Sequence, residues 1–185
     1  MQLQKNSFIN LPNPNASRKD LHMSADEAKR ARLYFKELVQ LYHIWVKRPK
    51  PGMDGGAAQF GSNTIYVPTI KNRSDFYLCL HEVGHMRQPP ALLEIMDRNR
   101  ELGDEAAIID EYIAEKFALE HAQLFGLDTT VFEKHAKHCV FAYVQKVHQN
   151  GVEWAQLNKR VRDIANNWLG ITETDWSAQE WRLVD

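Results

Sequence analysis

The residues of this chain best suited to chemistry are His81, Glu82 and His85, in the run Leu80-His81-Glu82-Val83-Gly84-His85-Met86. They form an H-E-x-x-H pattern, the signature of zinc metallopeptidases. On a helix, His81 and His85 project from one face, one turn above the other. Two imidazoles at that spacing can grip a single Zn²⁺, and Glu82 beside them can reach a water on the metal as general base. Histidines so spaced also occur on solvated surfaces and, hydrogen-bonded, in cores. The flanks favour a metal. Leu78, Cys79, Leu80, Val83 and Met86 are uncharged, so burying this helix carries three polar side chains inside, which is costly unless they have partners.

A catalytic zinc keeps three protein ligands and one open position. The H-x-x-G-x-x-H continuation is absent, because Met86, Arg87, Gln88, Pro89 and Pro90 follow His85. The third ligand is therefore expected from a carboxylate downstream. The best carrier is a long helix from Asp104 to Phe125, on which Glu111, Ala114, Glu115 and Ala118 share a face. Its alanines allow close approach to the motif helix. Glu111 and Glu115 are one turn apart, so one can bind metal while the other accepts a hydrogen bond from a ligand ring N–H. Glu105, Asp110 and Glu120 compete, and any of these acids can instead belong to a solvated face. The setting among Ile113, Ala114, Phe117 and Ala118 favours the pair.

His-Glu-Val-Gly-His followed by Glu111-Tyr112-Ile113-Ala114-Glu115-Lys116-Phe117-Ala118 resembles the ImmA/IrrE metallopeptidase family. More widely, it is similar to gluzincins such as thermolysin. The resemblance covers roughly residues 55 to 120 and implies a zincin-like core. It also implies zinc held by His81, His85 and Glu111, with Glu82 as general base and Glu115 behind a ligand histidine. After Phe-Ala, where the family commonly has a leucine pair and Met-Pro, this chain reads Leu119-Glu120-His121-Ala122. A tyrosine or histidine would complete the site as oxyanion donor, the candidates being Tyr112, His121 and Tyr143, each also a plausible packing residue.

The rest of the chain predicts a mostly helical α+β fold with one small β element. Residues 1–22, with Asn-Leu-Pro-Asn-Pro-Asn, read as a flexible arm packing only through Phe8, Ile9 and Leu11. A single zincin-like domain over 23–185 is expected, with its metal core at about 55–126 and a helical part at 127–185. Ser24-Ala25-Asp26-Glu27 is a capping box opening a helix that carries Trp45 and ends at Lys47-Arg48 before Pro49. Ala57–Phe60 and Thr64–Val67 read as a hairpin through Gly61-Ser62-Asn63. In many metallopeptidases, an edge strand just before the metal-binding helix pairs with extended substrate. Ser74 or Asp75 would cap the motif helix, expected over 76–88. Further helices are expected over 91–102, from a Thr130–Glu133 capping box to Asn150-Gly151, over 152–169, and over 175–183 with Trp176 and Trp181.

Composition narrows the function classes. The 185 residues are 44% apolar and 25% charged, with a formal net charge of −1, so no global basic field points to nucleic acid. Lys159, Arg160 and Arg162 share one helix turn and read as a solvated face. No apolar run is long enough to span a membrane. Two cysteines give no disulfide framework, so a reduced, cytoplasmic protein is expected. His135, His138 and Cys139 invite a second metal site but lack further obvious ligands. The expectation is a zinc metallopeptidase acting on a protein or peptide substrate. The alternative is a non-enzymatic zinc protein, a regulator or binding module that keeps the peptidase fold and uses its metal structurally.

Overall fold

The structure, a computed structural model, describes residues 21–51, 55–87 and 103–178, with the backbone alone at Gly103 and Asp104. The arm before residue 21, the helix expected over 91–102, and Trp181 lie outside them. Helix α1 (Ala25–Leu41) starts as its sequence demands, with Ser24 Oγ accepting the Glu27 N–H at 3.1 Å. The box does not close reciprocally. Glu27 instead pairs with Arg73 at 3.2 Å.

The helix stops at Leu41, not at the expected Lys47-Arg48. Tyr42 caps it, His43 turns left-handed (φ 54°), and the Ile44 N–H reaches back to the Val39 carbonyl. This is a Schellman-type closure, normally given to glycine. It is sustained here because Ile44 is buried and the next residues form strand β1 (Trp45–Lys47). Tertiary pairing overrides helix periodicity in a stretch rich in β-formers.

With β2 at Ala57–Gln59, strand β3 (Thr64–Tyr66) lies at the centre of a three-stranded sheet of order β1-β3-β2. It pairs in parallel with β1, Trp45 opposite Thr64, and antiparallel with β2 (Ala57–Gln59), Ala57 opposite Tyr66. The expected hairpin is present, closed by a tight 3₁₀ turn over Phe60–Ser62 and by Asn63 at φ 46°. The strand just before the motif helix is not an edge, however. β3 is buried and paired on both sides, so the edges among the described strands are β1 and β2.

Helix α2 (Arg73–His85) carries the motif. Its cap is Asn72, two residues before Ser74 and three before Asp75, the expected caps. Asn72 Oδ1 accepts the Asp75 N–H at 2.8 Å, while Asp75 takes the Lys71 N–H at 2.9 Å. Helix α3 (Gly103–Phe125) is followed by α4 (Thr130–Gln149), where Asp128 accepts from the Thr130 backbone and hydroxyl. The helix expected over 152–169 is broken. A 3₁₀ turn at Trp154–Gln156 precedes α5 (Lys159–Asn167), because Asn158 caps the latter by accepting from Arg160 N–H. A short α6 (Glu173–Trp176) begins with a Thr172/Asp175 capping box.

By internal contacts the chain divides into two units, residues 1–87 with 114–133, and residues 88–113 with 134–185. The first has a core of Phe35, Ile65, Val67, Phe76, Leu80 and Val83, joined by Ala118 and Ala122 of α3. The second is built on Ile108, Val140, Val144, Val161, Ile164 and Trp176. The divisions at 113/114 and 133/134 fall within continuous helices, α3 and α4. Among the described residues, no helix is long and apolar enough to cross a membrane.

Candidate metal centre

Helix α2 is almost wholly buried from Phe76 to His85, with only Leu78 half-exposed. Apolar Phe76, Cys79, Leu80 and Val83 lie in the core, so the polar motif residues are carried inside with them. His81 and His85 are each 2% exposed and Glu82 is fully buried. Polar side chains at that depth require polar or metal partners.

The two histidines face each other as the i, i+4 spacing requires. Their Nε2 atoms are 3.0 Å apart and their rings stand at 89°. Ligand atoms about 2.0–2.1 Å from a tetrahedral zinc are separated by roughly 3.3 Å. The imidazole pair is therefore spaced as two corners of such a site. A Glu111 carboxylate oxygen completes a set of three donor atoms, all within 4.8 Å of one another. Two nitrogens and one oxygen, all buried, suit a borderline divalent ion such as zinc.

Glu111 reaches this place through its own helix. In α3, Glu111, Ala114, Glu115, Ala118 and Ala122 are all buried and recur at helical spacing. The stripe lies against α2 at Gly84, where a Cβ would stand 2.7 Å from Ala114 Cα and 2.8 Å from its carbonyl oxygen. Gly84 thus brings the two backbones together, and Glu111 and Glu115 flank the contact one turn apart. Glu115 sits behind His81, with Oε1 3.3 Å from the His81 Nδ1. A carboxylate there fixes the ring orientation and leaves Nε2 for a metal.

Two contributors were not read from sequence. Gly56, beside β2, is buried against the general-base candidate: a Cβ there would meet Glu82 Cγ at 2.7 Å and overlap its carboxylate. A glycine in the loop before β2 is the only sequence trace of this contact. Gly56→Ala is expected to displace the Glu82 carboxylate and to destabilise the fold by about 1–3 kcal/mol, as overpacking does, and thermal unfolding beside wild type checks it. The second is Tyr77, whose hydroxyl donates to Glu115 Oε2 at 2.5 Å. It lies one turn before His81, a spacing visible only once Glu115 is placed.

The remaining candidates have other surroundings. Glu105 accepts the Asn158 backbone N–H at 2.6 Å, Asp110 is buried, and Glu120 is exposed. Tyr112 packs edge-on to Trp168, ring centres 5.0 Å apart, and Tyr143 is half-buried against the second core. His121 stacks on Phe117 and its Nδ1 lies 2.7 Å from the Tyr34 hydroxyl. Burial lowers the His121 pKa, with Glu120 partly opposing, and burial raises that of Tyr34. Burial, with Asp75 and Glu82 nearby, holds the Cys79 thiol far above its usual range, so it stays an inert core residue.

In α4, His135 Nε2 contacts Cys139 Sγ at 3.5 Å. A Glu115 carboxylate oxygen joins them in a second set of three donor atoms within 4.8 Å of one another, a third partner the sequence did not show. His138 Nδ1 instead donates to the Lys134 carbonyl at 2.8 Å. The basic turn is largely engaged, Lys159 with Asp163 and Arg162 with the Trp154 and Ala155 carbonyls. Compared with known protein-family models, curated proteins and solved structures, the chain shows no match.

Proposed function

We propose that this protein is a zinc-dependent metallopeptidase with a zincin-like core, cleaving an intracellular protein target. The observation that carries the reading is the convergence of His81, His85 and Glu111 donor atoms within 4.8 Å, with Glu82 on the same buried turn. When bound, the metal would lower the pKa of a coordinated water and polarise a carbonyl.

The chain's own residues supply the rest. His81 and His85 present their Nε2 atoms on one helix face, and Glu115 holds the His81 ring from behind. Glu82 takes the proton of the attacking water and returns it to the leaving amine. Its burial removes competing solvent, which strengthens each electrostatic interaction it makes. The β2 edge, starting beside Gly56 and hence beside Glu82, offers main-chain groups along which an extended peptide can align.

The full burial of Glu82 also favours a second reading, a non-enzymatic zinc protein whose enclosed site stabilises the fold. Both readings require metal. Mass-spectrometric metal analysis of untagged protein is expected to find near-stoichiometric zinc, with affinity in Glu111→Ala falling by more than the roughly 10–100-fold typical of supporting residues. Zinc unaffected by Glu111→Ala would move the third ligand to Glu105, Asp110 or Glu115. A folded wild type that takes up no zinc would refute both readings.

A further inference from the structure

We infer that Tyr77 is a positioning residue for the metal centre, acting through Glu115 on His81. This rests on the reading of His81, His85 and Glu111 as ligands. The contacts form a continuous line inside the first unit. The Tyr77 hydroxyl donates to Glu115 Oε2 at 2.5 Å, and the other oxygen, Oε1, lies 3.3 Å from His81 Nδ1. Both carboxylate oxygens are thereby engaged, one on each side.

The geometry calls for such an anchor. Glutamate has three side-chain torsions and can place its carboxylate in many ways, so a directed hydrogen bond to one oxygen narrows where the other can stand. Tyr77 is rigid by comparison and is itself held. Its ring stacks on Phe132 at the start of α4, with centres 4.5 Å apart and planes 6° from parallel. Tyr77 is 4% exposed and Glu115 is 1% exposed, so water competes little for either. The donor is a phenol O–H, which orients the carboxylate without setting a cation against it. A cation at that point would pull charge away from the His81 N–H; the phenol leaves Glu115 available to raise the basicity of the ligand imidazole.

Helical spacing explains why these residues meet. Tyr77 and His81 are four apart on α2, stacked on one face, so a single carboxylate from α3 touches both. Phe132 makes the arrangement stiff from the far side.

The test is zinc affinity, measured by competition with a chromophoric chelator on the full chain, together with the melting temperature of the metal-free protein. Tyr77→Phe keeps the ring and its stack on Phe132 while deleting the hydroxyl. Zinc binding is expected to weaken about 10–100-fold, out of proportion to any change in metal-free melting temperature. The line of action predicts non-additivity. Glu115→Gln should weaken zinc binding by itself, and adding Tyr77→Phe to it should cost little more. Nitrogen-15 NMR of the His81 ring gives a second readout, since loss of the anchor should change the Nδ1–H signal in the zinc-loaded protein. Wild-type zinc affinity in Tyr77→Phe would overturn the inference. Fully additive losses in the double variant would also overturn it, showing that Tyr77 acts independently of Glu115. If wild type itself bound no zinc, the failure would lie with the metal centre, and the inference would fall with it.

Discussion

Gly84→Ala is expected to destabilise the protein by about 3 kcal/mol, the upper end for overpacking, and to lower its melting temperature by roughly 6–12 °C. The added methyl would stand 2.7 Å from Ala114 Cα, 2.8 Å from its oxygen and 3.1 Å from its carbonyl carbon. All three are main-chain atoms, so no rotamer change on α3 can make room. The two helices must separate, and separation carries Glu111 and Glu115 away from the histidines. Zinc affinity should therefore fall with stability. Ala114→Gly in the same background should not restore either, because the methyl meets backbone and not the alanine side chain. Calorimetry with and without zinc decides the matter, and a Gly84→Ala protein melting like wild type would show that the helix contact is looser than described.

Glu82→Gln is expected to retain zinc at the wild-type level and to lose hydrolysis of a verified peptide substrate by about 10²–10⁴-fold, the contribution typical of a positioned general base. Glutamine matches glutamate in size, so the fully buried side chain keeps its packing. What is lost is the ability to accept a proton. The outcome separates the two proposed readings. An enzyme loses turnover while holding its metal, whereas a non-enzymatic zinc protein keeps its biological function unchanged. Cleavage by Glu82→Gln at the wild-type rate would remove Glu82 from the base role.

Much of the candidate centre was legible in the chain because its spacings are local. His81 and His85 are four apart, as are Glu111 and Glu115, and a helix converts each spacing into a shared face without reference to anything distant. The alanines of α3 announced close packing in the same way. The small hairpin was visible from its alternation and its turn residues, and the mostly helical α+β class followed from the long amphipathic stretches.

Contacts between distant segments were not legible, because no local period records them. The end of α1 at Leu41 depends on Ile44 entering the core and on β1 pairing with β3, so a stretch that reads as helix becomes strand. The central place of β3 was hidden for the same reason, since its second neighbour comes from that reassigned stretch. Glu105 and Glu111 are similar acids on one helix, yet one meets the Asn158 N–H and the other the histidine pair. Gly56 and Tyr77 acquire meaning only beside Glu82 and Glu115. The sequence by itself determined which side chains could share a helix face and hold a metal. The tertiary structure decided which carboxylate stands beside the histidines and which of the described strands are edges, because those outcomes depend on packing between residues far apart in the chain.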